Sequence, residues 1–105
     1  MNLNELMNDI HANSVVHGWW DEPRSFGEVV ALCHSELSEA LEEDRAGKMK
    51  VYHVEGKPEG VAVEMIDCII RILDWCGYAG VDVEQVLMEK HQYNKNRPYK
   101  HGKRY

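Results

Sequence analysis

The sequence predicts an all-α protein, a four-helix bundle that assembles into oligomers. Three observations support this: apolar residues recur at helical spacing in four segments, capping signals open two of them, and no alternating run is long enough for a buried strand except Met49 to Glu55. With 105 residues the chain has room for one domain, 1–105, ending in a basic tail over 97–105.

The first helix is expected over Leu3 to Val16, with Leu3, Leu6, Met7, Ile10 and Ser14 on one face and Gly18 as its end. Trp19 to Arg24 reads as a loop, because Pro23 disfavours helix at the residue before it. Ser25-Phe26-Gly27-Glu28 fits a capping box, so a second helix is expected from Phe26 to about Ala46, stopped by a left-handed Gly47. Residues 47–57 form a connector or a short hairpin. Pro58 suits the first position of a third helix, Glu59 to Cys76, which is expected to stop in Gly77-Tyr78-Ala79-Gly80. Asp82 with Gln85 caps a fourth helix, Val83 to about Asn96, which must end near Arg97-Pro98.

Composition excludes several classes. At 44% hydrophobic and 29% charged residues the chain is neither disordered nor collagen-like. The most apolar stretch, Met65 to Cys76, is interrupted by Asp67, Arg71 and Asp74, so no membrane partner is expected. The start Met-Asn-Leu-Asn-Glu lacks the basic and apolar regions of a signal peptide, which makes a cytoplasmic protein the expectation. Cys33, Cys68 and Cys76 are odd in number and without CxxC spacing, and are expected to be reduced core residues. The net charge of −6 conceals an asymmetry: residues 90–105 hold six Lys/Arg and no acid, whereas all 18 acids lie before them. An acidic body repels a phosphate backbone and the tail has no recognition motif, so nucleic acid is not an expected partner.

Two carboxylate pairs carry the chemistry, Glu36 with Glu39 on the second helix and Glu64 with Asp67 on the third. Spacing of i, i+3 puts each pair on one helical face. Taken alone, Glu36 and Glu39 also suit a solvated acidic surface with Glu42, Glu43 and Asp44. The third helix alters that balance. At about 100° per residue, Glu64, Asp67, Arg71 and Asp74 form one narrow line, and the remaining arc of about 220° is apolar. A helix this apolar is buried on most sides, so its acidic line faces a cleft. Too few other helices exist in one chain to cover the arc, which predicts a homodimer or homotetramer.

Four carboxylates in one cleft make six like-charge contacts of roughly 3 kcal/mol each, on the order of 20 kcal/mol in all. That exceeds the ~5–15 kcal/mol stability of a typical domain, so the site needs a cation or shared protons. An all-oxygen set suits Mg²⁺, with Mn²⁺ as substitute, better than zinc. Lys90 and Asn94 share one face of the fourth helix and Arg97 follows; a lysine, an amide and an arginine near such an ion can hold a polyphosphate.

These elements, Glu-x-x-Glu, then Glu-x-x-Asp, then Lys-x-x-x-Asn-x-x-Arg, resemble the MazG-like members of the all-α nucleoside triphosphate pyrophosphohydrolase superfamily. The stretches His-Gly-Trp-Trp-Asp-Glu-Pro-Arg-Ser-Phe-Gly-Glu and Leu-Cys-His-Ser-Glu-Leu-Ser-Glu-Ala-Leu-Glu-Glu resemble its small single-domain type. The resemblance implies Mg²⁺ ligation by Glu36, Glu39, Glu64 and Asp67, with Glu39 activating water. It implies triphosphate contacts from Lys90, Asn94 and Arg97, and base contacts from His11 and Trp20, as in the related dCTP pyrophosphatases. His11 equally suits a packed histidine, and Trp19 or Trp20 a core plug. The chain departs from the pattern at Ser35, where many members have a further Glu, and at Arg71, where the dCTP-type enzymes have an aromatic residue. The implied reaction is hydrolysis of a nucleoside triphosphate, a dNTP first, to the monophosphate and pyrophosphate. The alternatives are a phosphoribosyl-ATP-type hydrolysis and a non-catalytic helical dimerisation module.

Overall fold

A computed structural model describes residues 1–104; Tyr105, the last residue of the expected tail, lies outside the described residues. Four helices are present, α1 (Leu3–Val16), α2 (Phe26–Arg45), α3 (Val61–Ala79) and α4 (Val83–Lys95), with a two-stranded hairpin between α2 and α3 and a short 3₁₀ turn over Tyr99–Gly102. The all-α expectation therefore holds for the main elements. Both predicted caps are formed: Ser25 Oγ accepts from the Glu28 N–H at 3.1 Å, and Asp82 Oδ1 from the Gln85 N–H at 3.1 Å.

The third helix differs from its expected span of Glu59 to Cys76 at both ends. Pro58 does not open it, because Pro58 lies in strand β2 (Lys57–Glu59), opposite His53 of β1 (Tyr52–Val54). Glu55 and Gly56, both at positive φ, make the two-residue turn that matches strand twist. Tyr52 Oη donates to Glu43 at 3.0 Å and ties the hairpin to α2. At the other end α3 runs through Gly77 and stops at Gly80, whose left-handed φ of 71° serves as the cap. Gly77 has a packing reason to be glycine: a Cβ there would stand 2.6 Å from His11 Cβ, so its bare backbone is where α1 crosses α3.

The helices form an open row. α3 packs against both α2 and α1, while the principal neighbour of α4 is α1, where Asn4 and Glu84 bond each other's backbones. A four-helix bundle closed within one chain would give every helix two neighbours. The core is correspondingly small, built on Met7, Val29, Ala40, Cys68 and Leu73. The radius of gyration is 16.2 Å, against about 13 Å for a compact domain of this length. The accessible surface is 8074 Å², about 2,000 Å² more than the ~6,100 Å² of a folded monomer of this mass. The apolar arc of α3 contributes to it: Met65, Ile66, Ile69, Ile70 and Ile72 are 41–51% exposed. Among the described residues no helix is long and apolar enough to cross a membrane. Cys33, Cys68 and Cys76 are free thiols, and burial pushes the Cys33 and Cys76 thiols up.

Candidate functional site

Packing α2 against α3 brings the two acidic motifs together. Glu36, Glu64 and Asp67 each offer a carboxylate oxygen within 4.8 Å of the others. Glu64 also belongs to a second group with Glu43 and Glu59, neither of which the sequence motif had singled out. Glu39 stands beside Glu64 on the wall of one cavity, and its carboxylate is among the groups that raise the Glu64 pKa. Three of the four expected carboxylates thus meet, with Glu64 common to both groups, whereas Glu39 belongs to neither group.

They do not open into one cleft. Glu36 and Asp67 lie in the wall of a cleft of about 420 Å³ formed by α1, the loop after it, α2 and α3. Glu39 and Glu64 line a second cavity of about 380 Å³, walled by Glu43, Lys48, Tyr52 and Lys57. The acidic line of α3 therefore divides two spaces. Ser35, where a further Glu was a possibility, is exposed and donates to the carbonyl of Leu32.

The charge problem anticipated from the sequence is answered in two ways. Arg71 Nε donates to Glu36 Oε1 at 2.8 Å, supplying one positive charge. Burial, followed by hydrogen bonds that the protonated Glu64 carboxyl gives to Glu39 and Glu36, pushes Glu64 up to about 7. Burial and the charge of Glu36 raise Asp67, and Arg71 opposes them. The three carboxylates form an all-oxygen donor set, the kind that suits Mg²⁺ better than zinc.

A pH dependence follows for the metal-free protein. The folded pKa of Glu64 lies above its ordinary value of 4.5, so the folded state retains a proton that the unfolded chain releases. This contribution to stability is full at low pH and is lost as the pH rises through about 7. Between pH 6 and pH 8 it amounts to about 1 kcal/mol, or a fall of about 4–8 °C in Tm. Thermal melts in chelator should show that fall in the native chain and a smaller one in Glu64→Gln.

His11 and Trp20 converge on Asp74, a residue on the acidic line to which the sequence assigned no role. Asp74 is buried and accepts from His11 Nδ1 at 2.8 Å, Ser14 Oγ at 2.8 Å and Trp20 Nε1 at 3.0 Å. An acceptor-only carboxylate fixes the proton of His11 on Nδ1. The Trp20 ring stacks on Tyr78 at 4.4 Å and has the Arg24 guanidinium 5.2 Å from its centroid. Trp20 is not among the residues that line the larger cleft; the indole there is Trp19, which is 65% exposed. Lys90, Asn94 and Arg97 are absent from the walls of both carboxylate-lined cavities; Lys90 and Arg97 lie instead over the ring of Tyr93.

No protein-family model, curated protein or solved structure matches the chain. The functional reading stands on the residues and their geometry.

Proposed function

We propose that this chain is a Mg²⁺-dependent nucleoside triphosphate pyrophosphohydrolase of the MazG-like kind, acting on a dNTP and working as a homodimer or a pair of dimers. The observation that supports this best is the meeting of Glu36, Glu64 and Asp67 within 4.8 Å, from two helices whose motifs the resemblance singles out. Glu36, Glu64 and Asp67, with Glu39 alongside, would hold the ion. When bound, Mg²⁺ neutralises the triphosphate and makes the α-phosphorus more electrophilic.

The chain's own residues supply the remainder. Glu39, beside Glu64 on the wall of the second cavity, accepts a proton from the attacking water. Water adds to the α-phosphorus, the bond to the β-phosphate oxygen breaks, and pyrophosphate leaves. Trp19 offers an open aromatic face in the larger cleft for the base, and Arg24 and Arg71 give that cleft two cations. Pairing of two chains is supported by the excess surface of about 2,000 Å², which matches what obligate interfaces bury, and by the exposed isoleucines of α3. In this proposal the pair also brings Lys90, Asn94 and Arg97 to the triphosphate, since within one chain they stand outside the carboxylate cavities.

The test is release of pyrophosphate from a panel of NTPs and dNTPs with and without Mg²⁺, with phosphoribosyl-ATP included. Mg²⁺-dependent turnover of at least one dNTP is the expected result. Turnover of phosphoribosyl-ATP alone would move the assignment to that branch, and no turnover of any substrate would leave only a helical dimerisation module.

A further inference from the structure

Arg71 stands one turn beyond Asp67, on the line of α3 that also carries Glu64. Its Nε donates to Glu36 Oε1 at 2.8 Å, and Glu36 is a member of the three-carboxylate cluster. The Glu36 side chain is 9% exposed and that of Arg71 35%, so the acid is fixed in the interior while the guanidinium reaches it from the cleft. We propose that Arg71 is the resident counter-ion of the carboxylate site, displaced from Glu36 when a divalent cation binds and then available as a cationic contact for substrate in the cleft. This rests on reading Glu36, Glu64 and Asp67 as a divalent-cation site.

Arg71 and a bound cation compete for Glu36. A guanidinium hydrogen-bonded to a ligating carboxylate lies within about 5 Å of the ion, where two like charges in a partly desolvated site repel strongly. Removing Arg71 without a replacement would leave Glu36 as an unpaired buried charge, so in the metal-free protein the arginine is needed. With an ion present that need disappears and the repulsion takes over. The displaced arginine has no other protein carboxylate in the cleft to move to, because Asp67 would ligate the ion and Asp74 already accepts from His11, Ser14 and Trp20. An anionic or carbonyl oxygen of the substrate is the partner left to it, and Arg71 already lines the cleft beside Arg24 and Trp19.

Mn²⁺ binding in the absence of nucleotide, followed by electron paramagnetic resonance, tests this on the full chain and on Arg71→Met, Arg71→Gln and Arg71→Lys. Arg71→Met and Arg71→Gln should bind Mn²⁺ about tenfold more tightly than the native chain, and Arg71→Lys about as tightly. Damage to the fold moves affinity the other way, so tightening is specific to the competition. In turnover the two neutral variants should raise KM for the dNTP more than they lower kcat. Unchanged or weaker Mn²⁺ binding by both neutral variants, with the native chain binding Mn²⁺, overturns the proposal and leaves the metal site standing. No Mn²⁺ binding by any of the four overturns the metal reading and the proposal with it.

Discussion

Asp67→Asn is expected to abolish most of the proposed Mg²⁺-dependent release of pyrophosphate, by about 100-fold in kcat/KM, while leaving the melting temperature of the metal-free protein unchanged or higher. Asparagine is nearly isosteric but neutral, and loss of a charged ligand costs at least what loss of a supporting partner costs, ~10–100-fold. The stability change has the opposite sign for the reason that Asp67 is held above the usual carboxylate range: burial and Glu36 both disfavour its charge. Taking that charge away relieves the cluster. Activity assays and thermal melts on the same preparation separate the two effects, and a variant that kept full activity would show that Asp67 ligates nothing needed for turnover.

Asp74→Ala carries the largest expected loss of stability, about 3 kcal/mol. Three donors from α1 and the loop after it, on His11, Ser14 and Trp20, converge on this one carboxylate. Without it each partly buried donor is left to find water or go unpaired, at ~1–3 kcal/mol for a fully buried group. Against a total of ~5–15 kcal/mol the chain loses a large share of its margin, which corresponds to a fall of about 12 °C or more in Tm. The Trp20–Tyr78 stack should loosen as well, since the indole N–H that orients Trp20 has lost its acceptor. Near-ultraviolet circular dichroism reports that stack. Asp74→Asn retains one acceptor oxygen and should lose less. A cost below about 1 kcal/mol for the alanine variant would mean that the network does not hold α1 to α3.

What the sequence disclosed and what it concealed divide by distance along the chain. Ser25 with Glu28 and Asp82 with Gln85 are contacts between residues three apart, and local pattern is enough to read them. The line Glu64, Asp67, Arg71, Asp74 is likewise a matter of helical period. The segment Gly77 to Gly80 was expected to end α3 and Gly80 caps it, but Gly77 lies inside the helix and its reason for being glycine is His11, 66 residues away. Pro58 met every local criterion for a helix start; pairing of β2 with β1 and the bond from Tyr52 to Glu43 placed it in a hairpin instead. Asp74 was visible as a member of the line, yet its role depends on partners 54 to 63 positions distant. The same holds for Arg71, whose partner Glu36 is 35 residues earlier and on another helix. A departure from the expected residue at position 71 was the one signal available.

The same distinction applies to α3 as a whole. Its apolar arc was legible, and its burial within one chain was not to be had, because α1 and α2 cover only part of it.

The measurement that bears most directly on the carboxylate site is phosphorus-31 nuclear magnetic resonance of the products formed from each dNTP by the purified chain, with Mg²⁺ and again in chelator. The account predicts a nucleoside monophosphate and pyrophosphate in equal amounts, formed only with Mg²⁺ and not by Asp67→Asn. Formation of a diphosphate and inorganic phosphate, or of no product from any dNTP, would contradict it.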